Sequence, residues 1–225
     1  MNVFPPCGWT QLVDPFGGME MLMDGGGHMC GRYYIAEDDL SRELARIIAE
    51  INRKKTPEGL KTAGEICPLD VAPVLANSRH QDVQPFAMRW GYAYPDGHPV
   101  INARSETAAE KPLFRDGMQH RRCLIPASHY FEWEKRDGKR IKYAIRPAHA
   151  DMLYLAGIYH FENHSGVIVP SFVILTQAAA PDIAFIHDRM PVILPQEYTA
   201  DWLNPEHNAN EIVQAALRDM AYQPV

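Results

Sequence analysis

From residue 71 onward the chain is a series of short β-prone runs separated by turn residues, and this punctuation limits what it can fold into. Runs rich in Val, Ile, Phe, Tyr and Trp fall at 71–76, 86–91, 100–103, 122–125, 130–135, 142–146, 153–159 and 171–176, and Gly, Pro, Asn or Asp punctuate the stretches between them. Helical segments do not alternate with these runs, so a βαβ-built parallel sheet is excluded. One helix is predicted ahead of them over 40–53, where Leu40, Leu44, Ile47, Ile48 and Ile51 recur at helical spacing behind a capping Asp38 or Asp39. A short helical segment is expected at 181–186, a strand at 190–194, and two closing helices near 196–203 and 209–221. The class this predicts is α+β, with a curved or barrel-like sheet.

The length of 225 residues suits one domain with an N-terminal extension. Residues 1–29 read as a flexible leader. They hold Pro5-Pro6, Gly17-Gly18 and Gly25-Gly26-Gly27, five methionines, and neither Lys nor Arg. Met29 is itself a candidate start, so the leader is expected to be either a misassigned beginning or a removed piece, with the domain running over 30–225. A hydrophobic fraction of 46% supports a real core, and the net charge of -6 does not advertise nucleic-acid binding, although a groove responds to local charge and not to the sum. Four cysteines without a CxxC pair predict neither a disulfide framework nor a zinc site, and point to a reducing, cytoplasmic setting. No apolar run approaches the roughly 20 residues that span a bilayer.

Four polar residues stand inside short, otherwise apolar motifs. Cys30 opens Met29-Cys30-Gly31-Arg32-Tyr33; taken alone, a free cysteine is most often a small buried hydrophobe. Asn102 interrupts Val100-Ile101-Asn102-Ala103-Arg104, as a turn or bulge residue also does. Glu132 lies between Phe131 and Trp133. Beside apolar surface its pKa would rise and keep a proton available near neutrality, whereas strict alternation with Phe131 and Trp133 inward would turn it to solvent. His187, followed by Asp188 and Arg189, reads equally as a surface ion-pair cluster.

Taken together, Met29-Cys30-Gly31-Arg32-Tyr33, Trp90-Gly91-Tyr92, Ile101-Asn102-Ala103-Arg104-Ser105-Glu106-Thr107, Arg122-Cys123-Leu124-Ile125-Pro126-Ala127, Tyr130-Phe131-Glu132-Trp133 and His187-Asp188-Arg189-Met190-Pro191-Val192-Ile193-Leu194 resemble the SRAP (SOS response-associated peptidase) family, in matching order from Met29 to about Leu203. The resemblance implies the SRAP fold, a curved, mainly antiparallel sheet core with flanking helices. It also implies Cys30, Asn102, Glu132 and His187 as catalytic residues, and the arginines Arg32, Arg104 and Arg189 with Trp90 as DNA contacts. The implied partner is single-stranded DNA carrying abasic sites, handled by a monomer without cofactor or metal.

The chemistry is coherent on its own terms. The ring-opened abasic sugar is an aldehyde, and an α-amine of pKa near 8 attacks it to give an imine. A thiol on the same residue then closes a five-membered thiazolidine. Glu132 would move protons to the departing hydroxyl, Asn102 would orient the terminus, and His187 would assist sugar opening. Arginines would hold phosphates and aromatic rings would stack on bases. Two rival readings stay open: a thiol peptidase acting through Cys30, in cis or in trans, and a non-catalytic single-stranded DNA-binding module.

Overall fold

The computed structural model describes residues 30–36, 42–53, 59–95, 97–150 and 152–225, so the leader over 1–29 and the cap at Asp38 or Asp39 lie outside the described residues. Two sheets share one core. The smaller runs β13-β8-β7-β1-β2 and is antiparallel throughout. Its members are β1 (Arg32–Ile35), β2 (Gly64–Ile66), β7 (His129–Arg136), β8 (Lys139–Pro147) and β13 (Met220–Pro224). The larger is built on β3 (Val71–Asn77), β4 (Val83–Trp90), β6 (Arg122–Ala127), β9 (Leu153–His164) and β10 (Val167–Ala178). Because β10 pairs with both β9 and β4, these five strands close on themselves. The short strands β5 (Asn102–Arg104) and β11 (Arg189–Pro191) extend the far half of β10, and β12 (Ile193–Leu194) joins β9. The α+β class with a barrel-like sheet is therefore what the chain adopts.

Strands of the larger sheet are buried on both faces, and this is why they read as continuous apolar runs. Along β10, Phe172 and Ile174 enter a cluster that also takes Tyr33, Tyr130 and Ile145 from the smaller sheet. Val173 and Leu175 face a second cluster covered by helices. Among these is α1 (Arg42–Arg53), which buries Ile47 and Ile51. Each such side chain contributes roughly 1.5–3 kcal/mol relative to exposure. Gly157 marks a tight crossing, since a Cβ there would stand 2.5 Å from Ile125 Cδ1 and 2.9 Å from the Val173 carbonyl oxygen.

Several local expectations change. Two helices follow β5 unannounced, α2 (Ser105–Ala108) and α3 (Pro112–His120). The segment near 196–203 divides into a 3-10 turn at Gln196–Tyr198 and α4 (Thr199–Leu203). The closing helix stops early as α5 (Ala209–Gln214), and Met220–Pro224 becomes β13 because β8 offers it an edge to pair with. Cys30 and Cys123 are free, but Cys67 is disulfide-bonded, against the expectation of none. No helix among the described residues is long and apolar enough to cross a membrane.

Candidate active site

Cys30 sits just before β1 with its backbone in the left-handed region, at φ 43°. Such a conformation in a residue other than glycine costs on the order of 1–2 kcal/mol and collects at functional positions. Its nitrogen donates a short hydrogen bond to Glu132 Oε1 on β7. Both residues are buried, at 2% and 3% exposure. Alternation along β7 turns Tyr130, Glu132 and Glu134 inward, and Phe131 and Trp133 toward the opposite face. The outward alternative for Glu132 is thereby excluded. Two carboxylates tolerate this inward face because each has a donor: Cys30 N for Glu132, and Tyr143 Oη, 2.8 Å away, for Glu134.

The electrostatics follow from burial. Desolvation raises the Glu132 pKa, with hydrogen bonds from Cys30 and the electrostatic effect of nearby His187 opposing the rise. Desolvation also drives the Cys30 thiol well above its ordinary range; the Glu132 charge and a hydrogen bond to Glu132 add to this, and Arg189 opposes it. The thiol is held as S–H. One carboxylate thus touches both the nitrogen and the sulfur of Cys30.

His187 lies in the loop between the 3-10 turn Pro181–Ile183 and β11. Its Nδ1 stands 3.0 Å from the Arg189 backbone N–H and 3.0 Å from Asp188 Oδ1. A single nitrogen cannot accept from the first and donate to the second. The backbone N–H is a fixed donor and the Asp188 side chain is 87% exposed, so we assign Nδ1 as the acceptor. With Nδ1 accepting, Nε2 is the ring nitrogen left to donate.

Asn102 and Arg104 are placed by β5, which runs parallel to β10 with Asn102 beside Ile174 and Arg104 beside Thr176. Laterally paired residues share a face, so Asn102 points to the side of Ile174, which lies in the same cluster as Cys30. Arg104 is exposed, with no hydrogen bond or ion pair among the described residues. Arg189 is held differently. Its guanidinium grips Glu106 through both oxygens at 2.6 and 2.7 Å and donates to the Thr176 carbonyl at 2.8 Å.

Cys30, Glu132 and His187 therefore converge, with Arg189 close by and Asn102 on the facing strand. Arg32 does not join them. It pairs with Glu65 at 2.6 Å and lies over Trp133, on the other face of the smaller sheet. Trp90 is a correction: as a stacking platform it would need an open ring, but it is fully buried between Tyr33 and Phe172 and donates from Nε1 to the Ile101 carbonyl. Sequence reasoning missed Tyr143, which faces Glu132 across the ladder. The signal was available in Asp137-Gly138. Both residues have positive φ, and this two-residue turn fixes the β7–β8 register. No group of three or more His, Cys, Asp or Glu side chains among the described residues is placed to hold a metal ion.

Known proteins resemble the chain in sequence and in fold. The abasic site processing protein YedK of Escherichia coli is 30% identical over 194 residues, covering 84% of this chain and 85% of its own. The abasic site processing protein YoaM of Bacillus subtilis is 36% identical over 138 residues, covering 58% of this chain and 61% of its own. The chain thus spans about three fifths of the YoaM length. A crystal structure from Bacteroides thetaiotaomicron superposes with a TM-score of 0.70 at 24% identity, over 87% of this chain and 92% of that one, and shares the fold. The sequence model of the SOS response associated peptidase (SRAP) family matches residues 29–225, and the chain belongs to that family.

Proposed function

We propose that this chain processes abasic sites in DNA by capturing them covalently in single strands, through a thiazolidine formed by Cys30 as the first residue of the working protein. The observation that carries this reading is the shared carboxylate: buried Glu132 touches both the nitrogen and the sulfur of Cys30. A ring-forming capture needs those two atoms, and no others, on one proton carrier.

The steps balance without an external reagent. The amine adds to the C1′ aldehyde, and the carbinolamine hydroxyl leaves as water with a proton from Glu132. The Cys30 sulfur then adds to the imine carbon while the thiol proton passes through Glu132 to the nitrogen. One C–N and one C–S bond form, and one water is released. The neutral thiol suits this order, because a free thiolate is not needed until the imine exists. His187 Nε2 would serve as a donor to the sugar or its phosphate, and Asn102 would orient the amine. The family names carried by YedK and YoaM support abasic sites as the substrate.

The same geometry accounts for a route to the free terminus. Glu132 would protonate the Cys30 nitrogen as a leaving group while the thiol attacks the preceding carbonyl. The leader acyl passes to the sulfur as a thioester, and water hydrolyses it to leave the free amine and thiol, a peptidase step in cis. Initiation at Met29 followed by its removal gives the same product. N-terminal sequencing of adduct-forming protein is expected to read Cys-Gly-Arg-Tyr. Chains that retain residue 29 yet form the stable adduct at full rate would overturn the mechanism.

Phosphate binding falls to exposed Arg104, which has no hydrogen bond or ion pair among the described residues. Arg104→Ala is expected to weaken binding to single strands of any sequence, and to reduce the slope of log affinity against log salt by about 0.7. An unchanged slope assigns Arg104 to the fold instead.

A further inference from the structure

The mouth of this site carries an aromatic surface that none of the steps above uses. Ile183 and Ile186 anchor the loop before His187 in the core, which leaves Phe185 pointing outward at 49% exposure. Tyr222, on the edge strand β13, is 45% exposed. The two rings meet at 5.2 Å and 68°, and both lie edge-on to buried Tyr143, at 5.9 Å and 88° for Phe185 and 5.8 Å and 75° for Tyr222.

Two features connect this triangle to the chemistry. Tyr143 is the cross-strand partner of Glu132, and Phe185 is two residues from His187. The rings therefore border the reacting atoms. An edge-to-face contact occupies one face of one ring, so three such contacts among three rings leave ring faces open. The rim they form is an apolar, planar surface two residues from His187. Planar apolar stacking suits an unpaired nucleobase, and every base has a π-face, so the contact tolerates any sequence.

We propose that Phe185, supported by Tyr222, stacks on the unpaired base adjoining the abasic site and so seats the lesion over Cys30. The proposal rests on the abasic-site reading above and adds a base subsite to it. The abasic residue cannot itself be gripped by a base contact, so its neighbour supplies the handle.

The test is a coupling measurement on the full chain. Affinity is measured by fluorescence anisotropy for single strands bearing one tetrahydrofuran abasic analogue, which cannot open to an aldehyde. Companion strands lack, in addition, the base on the 5′ or the 3′ side. For the wild type, loss of one of these flanking bases is expected to weaken binding about tenfold, within the range of base–aromatic stacking. In Phe185→Ala and Phe185→Leu the same base deletion should cost less than about twofold, and Phe185→Trp should restore the difference. Phe185 is exposed, so its truncation opens no core cavity. Equal losses in wild type and Phe185→Ala at both flanks overturn the subsite, as does a wild type indifferent to both flanking bases. Adduct formation on a true abasic strand is recorded separately. An adduct without coupling removes the base subsite alone, whereas coupling without an adduct removes the capture chemistry and leaves the subsite standing.

Discussion

Cys30→Ala is expected to form no adduct that survives denaturation when mixed with a single-stranded oligonucleotide carrying one abasic site. The substitution keeps the α-amine and so keeps imine formation. What it removes is the second ring bond. An imine is hydrolysed on heating in water, whereas the thiazolidine has two bonds to the same carbon and re-forms whichever opens. The expected result is a complete loss of the heat-stable band, with a residual species that appears only after borohydride reduction. Cys123 cannot substitute, because it is free but fully buried in the core, with its nitrogen in a peptide bond within β6. A normal yield of heat-stable adduct from Cys30→Ala would sink the thiazolidine.

The second large effect is expected at Glu132. Glu132→Gln preserves shape and still accepts from the Cys30 nitrogen, but it cannot cycle a proton. Crosslinking should slow on the order of 10²-fold or more, while binding to undamaged single strands holds. Losses of equal size in both would make Glu132 a structural residue. The pH dependence separates these roles further. The amine must be unprotonated and Glu132 must be protonated when the hydroxyl leaves, so the wild-type rate rises and then falls with pH. The falling limb depends on the Glu132 proton and should vanish in the Gln variant. Stability gives an independent reading. A carboxyl whose folded pKa exceeds its unfolded value binds more protons in the native state. It therefore favours folding below the ordinary carboxylate range and loses that contribution as pH rises through the raised value. Glu132→Gln should flatten this slope in urea midpoints measured across that window.

Much of the fold was legible because two-sided burial writes itself as apolar runs. The strands of the larger sheet, such as β3 with Ala72, Val74 and Ala76 inward and Leu75 outward, could be read directly. The chain's last elements could not. Ile212, Val213, Ala216 and Leu217 keep helical spacing, and only the open edge of β8 turns the segment after them into strand. The helices α2 and α3 are short enough that local pattern does not separate them from loop.

The candidate site was legible to a different degree. Its residues could be named, but not their orientation. Tyr130-Phe131-Glu132-Trp133 offers apolar groups to both faces, so alternation alone does not decide which way the carboxylate points; the Cys30 nitrogen decides it. Trp90 and Arg189 show the opposite failure. Each has the composition of a DNA contact, yet the fold occupies the Trp90 ring with Phe172 and Tyr33, and the Arg189 guanidinium with Glu106. Long-range partners of this kind leave no trace in local sequence.

The left-handed backbone at Cys30 has one more consequence. The torsion φ is defined by the carbonyl carbon of the residue before, and its unfavourable value exists only while that residue is attached. A chain that begins at Cys30 has an amine free to rotate and no such torsion to hold. In the proposed cleavage before Cys30 that torsion would vanish with the bond, so the backbone there would favour separation over rejoining by on the order of 1–2 kcal/mol.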